Sequence, residues 1–163
     1  MTYQIRSAKP ADVEAMLELF PRLAAFDLPK RRAPDDLWRG DAELLRRWST
    51  GNAPECFVHV AVDSTQMILG VVMAQLREEL LSHEPSAHLE VIAVREHAEG
   101  QGIGKALIAG MEQVLREWGA QSVTLHVFAN NTRARTVAGA EVIYANAHEN
   151  FLSGVVVAGQ FVE

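Results

Sequence analysis

The sequence predicts an α/β domain, and three observations carry that prediction. Short apolar runs with strand character alternate with segments whose apolar residues recur at helical spacing. The stretch at residues 91–118 joins a strand-like run to an amphipathic helix through a glycine-rich turn. The chain has 163 residues, which suits one domain, residues 1–163, with a full core.

Taken in order, residues 3–6 alternate as a first strand, with Tyr3 and Ile5 on one face. Pro10 and Asp12 then open a helix whose apolar face is Val13, Met16, Leu17 and Phe20. Residues 21–40 are punctuated by Pro21, Pro29 and Pro34, and residues 41–48 form a short helix with Leu44, Leu45 and Trp48 inward. Residues 56–62 and 67–76 are two apolar runs joined by a polar turn at 63–66, which predicts a hairpin. A loop at 77–85 leads to a strand at 87–94, where Val91, Ile92, Ala93 and Val94 form a continuous apolar run, as in a strand buried on both faces. The next helix buries Leu107, Met111, Val114, Leu115 and Trp118 and stops at Gly119. Residues 122–128 alternate, with Val123, Leu125 and Val127 on one face and Thr124 and His126 on the other. Residues 139–148 keep a helical period, and residues 151–162 read as one or two final strands.

Composition excludes several function classes. Hydrophobic residues make up 48% of the chain and mean hydropathy is near zero, as in ordinary globular proteins. No apolar run approaches the ~20 residues that span a bilayer, and residues 1–10 contain no apolar signal core. The single cysteine, Cys56, sits in an apolar run and reads as a buried, inert thiol. These features predict a cytoplasmic protein without membrane association. A net charge of -6, with no basic cluster beyond Lys30, Arg31 and Arg32, argues against a nucleic-acid partner and suits a cationic acceptor such as an amine.

The turn between strand and helix contains Gly100, Gly102 and Gly104. Glycines let a backbone approach a ligand closely, and the first amides of a helix have no internal partners, so the place favours an anion such as a phosphate. Two common phosphate motifs fail here. A P-loop needs Gly where Glu99 stands and a hydroxyl where Ala106 stands. The dinucleotide fingerprint needs a third glycine where Leu107 or Lys105 stands.

Glu99-Gly100-Gln101-Gly102-Ile103-Gly104 instead resembles motif A of the GCN5-related N-acetyltransferases, Arg/Gln-x-x-Gly-x-Gly/Ala, with Glu99 in place of the first Arg or Gln. The segment Ile-Arg-x-Ala-x-Pro-x-Asp at residues 5–12 resembles the start of the same family. The resemblance covers the chain to about Arg135. It implies a mixed, mostly antiparallel twisted sheet of about six to seven strands, flanked by about four helices and splayed at a cofactor cleft. It also implies acetyl-CoA as cofactor, no metal, and transfer to an amine of a small molecule or peptide. By resemblance, Glu99, Gly100, Gln101, Gly102, Ile103, Gly104, Lys105 and Ala106 cradle the pyrophosphate, and main-chain amides in a bulge of the strand at Ile92, Ala93 and Val94 hold the thioester carbonyl. A carboxylate at Glu99 is electrostatically wrong beside a pyrophosphate unless it points to solvent, which is the expectation here. Residues 21–48 would shape the acceptor pocket.

Acetyl transfer to an amine needs a polarised carbonyl, a proton acceptor for the amine and a proton for the thiolate. Glu90 is the acid within the key strand and stands where several family members place that base; the alternative is a solvated strand-end acid. His88 and His126 are further candidates, with structural roles as the more ordinary reading. The family continues Asn-x-x-Ala-x-x-x-Tyr-x-x-x-Gly-Phe, in which Asn contacts the pantetheine arm and Tyr protonates the thiolate. This chain begins that motif at Asn131 and Ala134, then departs: Ala138 stands for the Tyr, Val142 and Ile143 stand for Gly-Phe, and Tyr144 arrives six residues late as the candidate acid. The tail, 136–163, also lacks Lys and Arg altogether. Divergence, a shifted reading frame, or pairing of the apolar run 155–158 with a second subunit as a homodimer would each account for it. Two functions follow: an acetyl-CoA-dependent N-acetyltransferase, or a non-catalytic acyl-CoA-binding module that has lost its general acid.

Overall fold

The computed structural model describes residues 2–24, 33–78, 83–128, 141–148 and 151–160, with side chains left undescribed at 34, 37, 126–128 and throughout the last two segments. Among the described residues seven strands form one sheet: β1 (Gln4–Ser7), β2 (Cys56–Val62), β3 (Ile68–Glu78), β4 (Pro85–Val94), β5 (Ser122–Phe128), β6 (Glu141–His148) and β7 (Phe151–Gln160). Their order is β1-β2-β3-β4-β5-β7-β6. Every neighbouring pair is antiparallel except β4 with β5. Three α-helices, α1 (Val13–Leu17), α2 (Arg39–Ser49) and α3 (Ile103–Glu117), occur among the described residues, together with short 3-10 segments. This is the mixed, mostly antiparallel architecture the sequence predicts.

The sheet carries an apolar core on each face. On one face Val58, Val60, Val71, Met73, Val91 and Ala93 pack with Val13 and Met16 of α1 and with Leu44 and Leu45 of α2. On the other, Ala61, Leu69, Val72, Ala87, Leu89, Val123 and Leu125 pack with Ile103, Leu107, Met111 and Leu115 of α3. Gly70 makes the second contact possible. A Cβ on Gly70 would come within 3.0 Å of Leu107 Cδ1, 3.1 Å of Ile103 Cγ2 and 3.2 Å of the Ala93 carbonyl oxygen.

Local chemistry explains the element boundaries. Ahead of α1, the Asp12 carboxylate accepts the Lys9 amide at 2.7 Å and two bonds from the Arg6 guanidinium at 2.8 and 3.1 Å. In the β2–β3 turn, Asp63 Oδ1 accepts the Thr65 amide at 2.8 Å, the Thr65 hydroxyl at 2.7 Å and the Met67 amide at 3.0 Å. Gly119, with φ +93°, closes α3 as predicted, and its amide donates to the Arg116 carbonyl at 3.0 Å.

Two expectations are corrected. The helix ends at Glu117, so Trp118 caps it and is 65% exposed, with its ring 5.5 Å from that of Phe57. Residues 141–148 form β6, not a helix. Val142, Ile143 and Tyr144 favour extended backbone, and the valine-rich β7 offers a partner that outweighs the helical spacing. The run 155–158 lies in β7, which pairs with β5 on one side and β6 on the other. The apolar strand therefore finds both partners within its own chain.

Candidate active site

The site is built at an irregularity in β4. The β3–β4 ladder pairs Met73 with Val91 and then Ala74 with Leu89, so Glu90 is an extra residue, a β-bulge. The parallel β4–β5 ladder runs only from Ser86↔Ser122 to Leu89↔Leu125. Beyond Leu89, β4 continues to Val94 and β5 to Phe128 without pairing to each other. The sheet splays from Glu90 onward, and the β5-facing edge of Ile92, Ala93 and Val94 borders the gap.

The chain leaves β4 toward the glycine turn. Gly100 has φ +76° and Gly102 φ +80°, so both need the left-handed conformation that glycine adopts without penalty. Gly102 is the N-cap of α3. A Cβ at Gly100 would meet nothing within 4 Å, and one at Gly102 only the Tyr3 hydroxyl at 3.9 Å, so the space over the turn is open. The Ala106 amide donates to the Gly102 carbonyl at 3.0 Å, the first bond of the helix. The amides of Ile103, Gly104 and Lys105 precede it and have no acceptor within α3. Open space over unpaired helix-start amides fits a phosphate group. Ile103 and Gly104 are buried, and Lys105 is exposed. The Gln101 side-chain oxygen is buried without a hydrogen-bond partner in the structure.

Glu99 does not simply face solvent, as the sequence led us to expect. Its carboxylate forms an ion pair with the guanidinium of Arg22, from the 3-10 segment Phe20–Ala24. Arg22 Nε also donates to the Val94 carbonyl oxygen at 3.3 Å. The acid at the first motif position is thus charge-compensated from a distant part of the chain.

Glu90 sits in an acidic corner. Its side chain is 13% exposed and lies 2.6 Å from Arg77 Nη2. Asp41, in the first turn of α2, is three and four residues before the buried Leu44 and Leu45, so it lies on the inward face of that helix. Burial, and then the negative charge of Glu90, push the Asp41 carboxyl up to about 7, against the opposing pull of Arg77. Asp41 was not singled out by the sequence. Its helical phase with Leu44 and Leu45 was the signal available. Arg22 gave no signal, because its partner is 77 positions away.

The remaining candidates fall elsewhere. His88 is buried, and its Nδ1 lies 2.8 Å from the Thr124 hydroxyl, in the paired part of β4 and β5, which suits a structural role. His126 is on β5, with its side chain undescribed. Tyr144 is on the outer strand β6, its Cα paired with Val155, with β7 and β5 between it and β4. Asn131 and Ala138 lie outside the described residues, as do residues 25–32 of the acceptor segment. Cys56 is buried, and burial together with the Glu55 carboxylate pushes its thiol up to about 12, as expected of an inert cysteine. No helix among the described residues is long and apolar enough to cross a membrane.

Comparisons with known proteins bear on the fold and the family. Mycothiol acetyltransferase of Renibacterium salmoninarum is 32% identical over 75 residues, which cover 46% of this chain and only 22% of that protein. Among solved structures, Arabidopsis thaliana NAA60 in complex with acetyl-CoA superposes with a TM-score of 0.68 at 18% identity, covering 96% of this chain and 97% of that one. A GNAT-family acetyltransferase from Desulfovibrio desulfuricans gives a TM-score of 0.73 at 16% identity, covering 96% and 98%. The NatC complex bound to Gag peptide and CoA gives 0.70 at 13% identity, covering 96% and 98%. At these identities the superpositions speak for the fold. The family model described as "Acetyltransferase (GNAT) family" matches residues 16–139, most of the chain and all of the site just described, and this protein belongs to that family.

Proposed function

We propose that this chain transfers an acetyl group from acetyl-CoA directly to the nitrogen of an amine on a small molecule or peptide. The observation that carries the reading is one juxtaposition. The bulge at Glu90 and the parting of β4 from β5 lie on the strand that ends at Val94, and Arg22 bonds both the Val94 carbonyl and Glu99 of the open glycine turn before α3. The mycothiol acetyltransferase relative and the fold neighbours solved with CoA or acetyl-CoA support the choice of donor.

Acetyl-CoA, when bound, supplies an acetyl group already activated as a thioester. The turn from Glu99 to Lys105 holds the diphosphate through the helix-start amides, where the helix dipole favours negative charge. The free edge of Ile92, Ala93 and Val94 aligns the pantetheine arm and the carbonyl by main-chain hydrogen bonds, which cost no reorganisation because β3 fixes that strand from the other side. Asp41 and Glu90 attract the acceptor as an ammonium and take its proton. The N–C bond forms as the C–S bond breaks, and the departing sulfur takes a proton from water, because Tyr144, the acid the sequence offers, lies on β6, two strands beyond β5. Asn131 is retained as the pantetheine contact by resemblance.

Calorimetric titration with acetyl-CoA and desulfo-CoA tests the reading, with Gly102→Glu as the variant. The wild type binds both ligands and the carboxylate in the cradle abolishes binding; an amine panel with thiol release as readout then follows. A folded wild type that binds neither ligand refutes the proposal. Binding without turnover on a broad panel would favour a non-catalytic acyl-CoA module.

A further inference from the structure

The family turn begins with Arg or Gln, and this chain has Glu99 there. A bare carboxylate at that place would repel a diphosphate, so something must supply positive charge. The basic residues flanking the turn do not. Arg95 donates through Nε to the Ile68 carbonyl oxygen at 3.0 Å and lies 3.6 Å from Glu18. Lys105 is exposed on the helix surface. Among the described residues, Arg22 is the basic group that bonds a residue of the turn. It is anchored at two points, by the Glu99 carboxylate and by the Val94 carbonyl at the end of the splayed strand. Those contacts use Nε and one Nη2 proton. The planar fork keeps Nη1 and the second Nη2 proton for another acceptor, and its geometry suits two phosphate oxygens at once.

We infer that Arg22 is the cationic ligand of the cofactor diphosphate, held in place by Glu99, so that the charge found at the first turn position in the family comes here from the segment before α2. This rests on the proposed acetyl-CoA site. It gives Glu99 a positioning role in place of an electrostatic defect. It also ties the segment leading to the acceptor side directly to the cofactor turn.

The test is calorimetric titration of wild type, Arg22→Gln, Arg22→Lys, Glu99→Gln and the double variant Arg22→Gln/Glu99→Gln. Three probes are used: CoA, dephospho-CoA, which keeps the diphosphate but lacks the 3′-phosphate, and pantetheine, which has no phosphate. Arg22→Gln should weaken CoA and dephospho-CoA by about tenfold or more, as loss of a charge-assisted contact does. Pantetheine binding should not change. Arg22→Lys, which keeps the charge but not the fork and is the milder change for folding, should fall between wild type and Arg22→Gln. The double variant should stay weaker than Glu99→Gln alone by a similar factor. Three results would overturn the inference: unchanged CoA affinity in both Arg22 variants, full recovery in the double variant (Arg22 then only neutralises Glu99), or a loss of pantetheine binding in step with CoA. A wild type that binds CoA while the Arg22 variants match it refutes only this inference. A wild type that binds no CoA refutes the acetyl-CoA site itself.

Discussion

Replacing Asp41 by Asn should stabilise the fold at alkaline pH and do little at acid pH. The structure raises the Asp41 carboxyl from its usual 3.8 to about 7, chiefly by burial and then by Glu90. The folded protein therefore holds this proton more tightly than the unfolded chain. Below about pH 4 both states are protonated, and Asp41 imposes no cost. As pH rises toward 7 the unfolded chain releases its proton first, and stability is lost. Above about pH 7 both are ionised and the full cost remains. A change from 3.8 to about 7 corresponds to about 4 kcal/mol. The N-terminal dipole of α2 and partial solvent access reduce it to about 2–3 kcal/mol. Urea unfolding at about pH 4.5, 6 and 8 reads the effect. Asp41→Asn should exceed wild type by about 1 kcal/mol at the lowest pH, where the unfolded carboxyl is already mostly ionised, and by about 2–3 kcal/mol at the highest, or about 4–12 °C in Tm. In a Glu90→Gln background the gain should shrink, because one source of the shift is gone. A stability difference that does not depend on pH, or an Asp41→Asn protein less stable at about pH 8, would refute the reasoning.

Other outcomes follow from the same geometry. With an amine acceptor in hand, the rising limb of kcat/KM against pH should centre near 7, where the Asp41 carboxyl titrates, and flatten in Asp41→Asn; Glu90→Gln should lower the rate by about 10²–10⁴-fold. Asp12→Asn should cost about 1–3 kcal/mol near neutral pH by breaking the paired bonds to Arg6. The Arg6 guanidinium holds the Asp12 carboxyl below its usual value, so this contribution is present above about pH 4 and disappears as acid protonates Asp12; urea unfolding across that range checks it. Gly70→Val should destabilise by about 1–3 kcal/mol in the same assay, because its side chain would intrude between Leu107, Ile103 and the Ala93 carbonyl.

Much of this was written locally in the chain. The glycine turn, the helix after it and the stop at Gly119 are each set by residues within a few positions of one another, and their boundaries agree with the structure. The β2–β3 hairpin was legible for the same reason, with Asp63 bonding its own turn. The misses share a different cause. Residues 141–148 have a helical spacing, but pairing with β7 decides their state, and pairing is not a local property. The Arg22–Glu99 pair joins positions that no short window contains. Trp118 fitted the apolar period of α3, yet the helix ends one residue before it. The resemblance puts the bulge at residues 92–94 and the structure has it at Glu90; Val91–Val94 is apolar throughout, and a run without alternation conceals which face each residue takes.

That bulge has a wider consequence, because it acts as a dislocation in the strand. Upstream, Ala87 and Leu89 lie in the α3 core; downstream, Val91 and Ala93 lie in the core of α1 and α2. With Glu90 in regular pairing and no bulge, the odd-numbered positions would share one side of the sheet along the whole strand. One inserted residue reverses the phase of the numbering, and the acid that marks the reversal stands where β4 and β5 part. Deleting Glu90 would therefore remove the bulge while leaving Leu89 and Val91 on their present sides of the sheet. It would restore an unbroken ladder, Met73 with Val91 and Ala74 with Leu89, and take the acid from the place where β4 and β5 part. In evolution or redesign, residues 85–89 and 91–94 must vary as two separate strands that happen to be continuous.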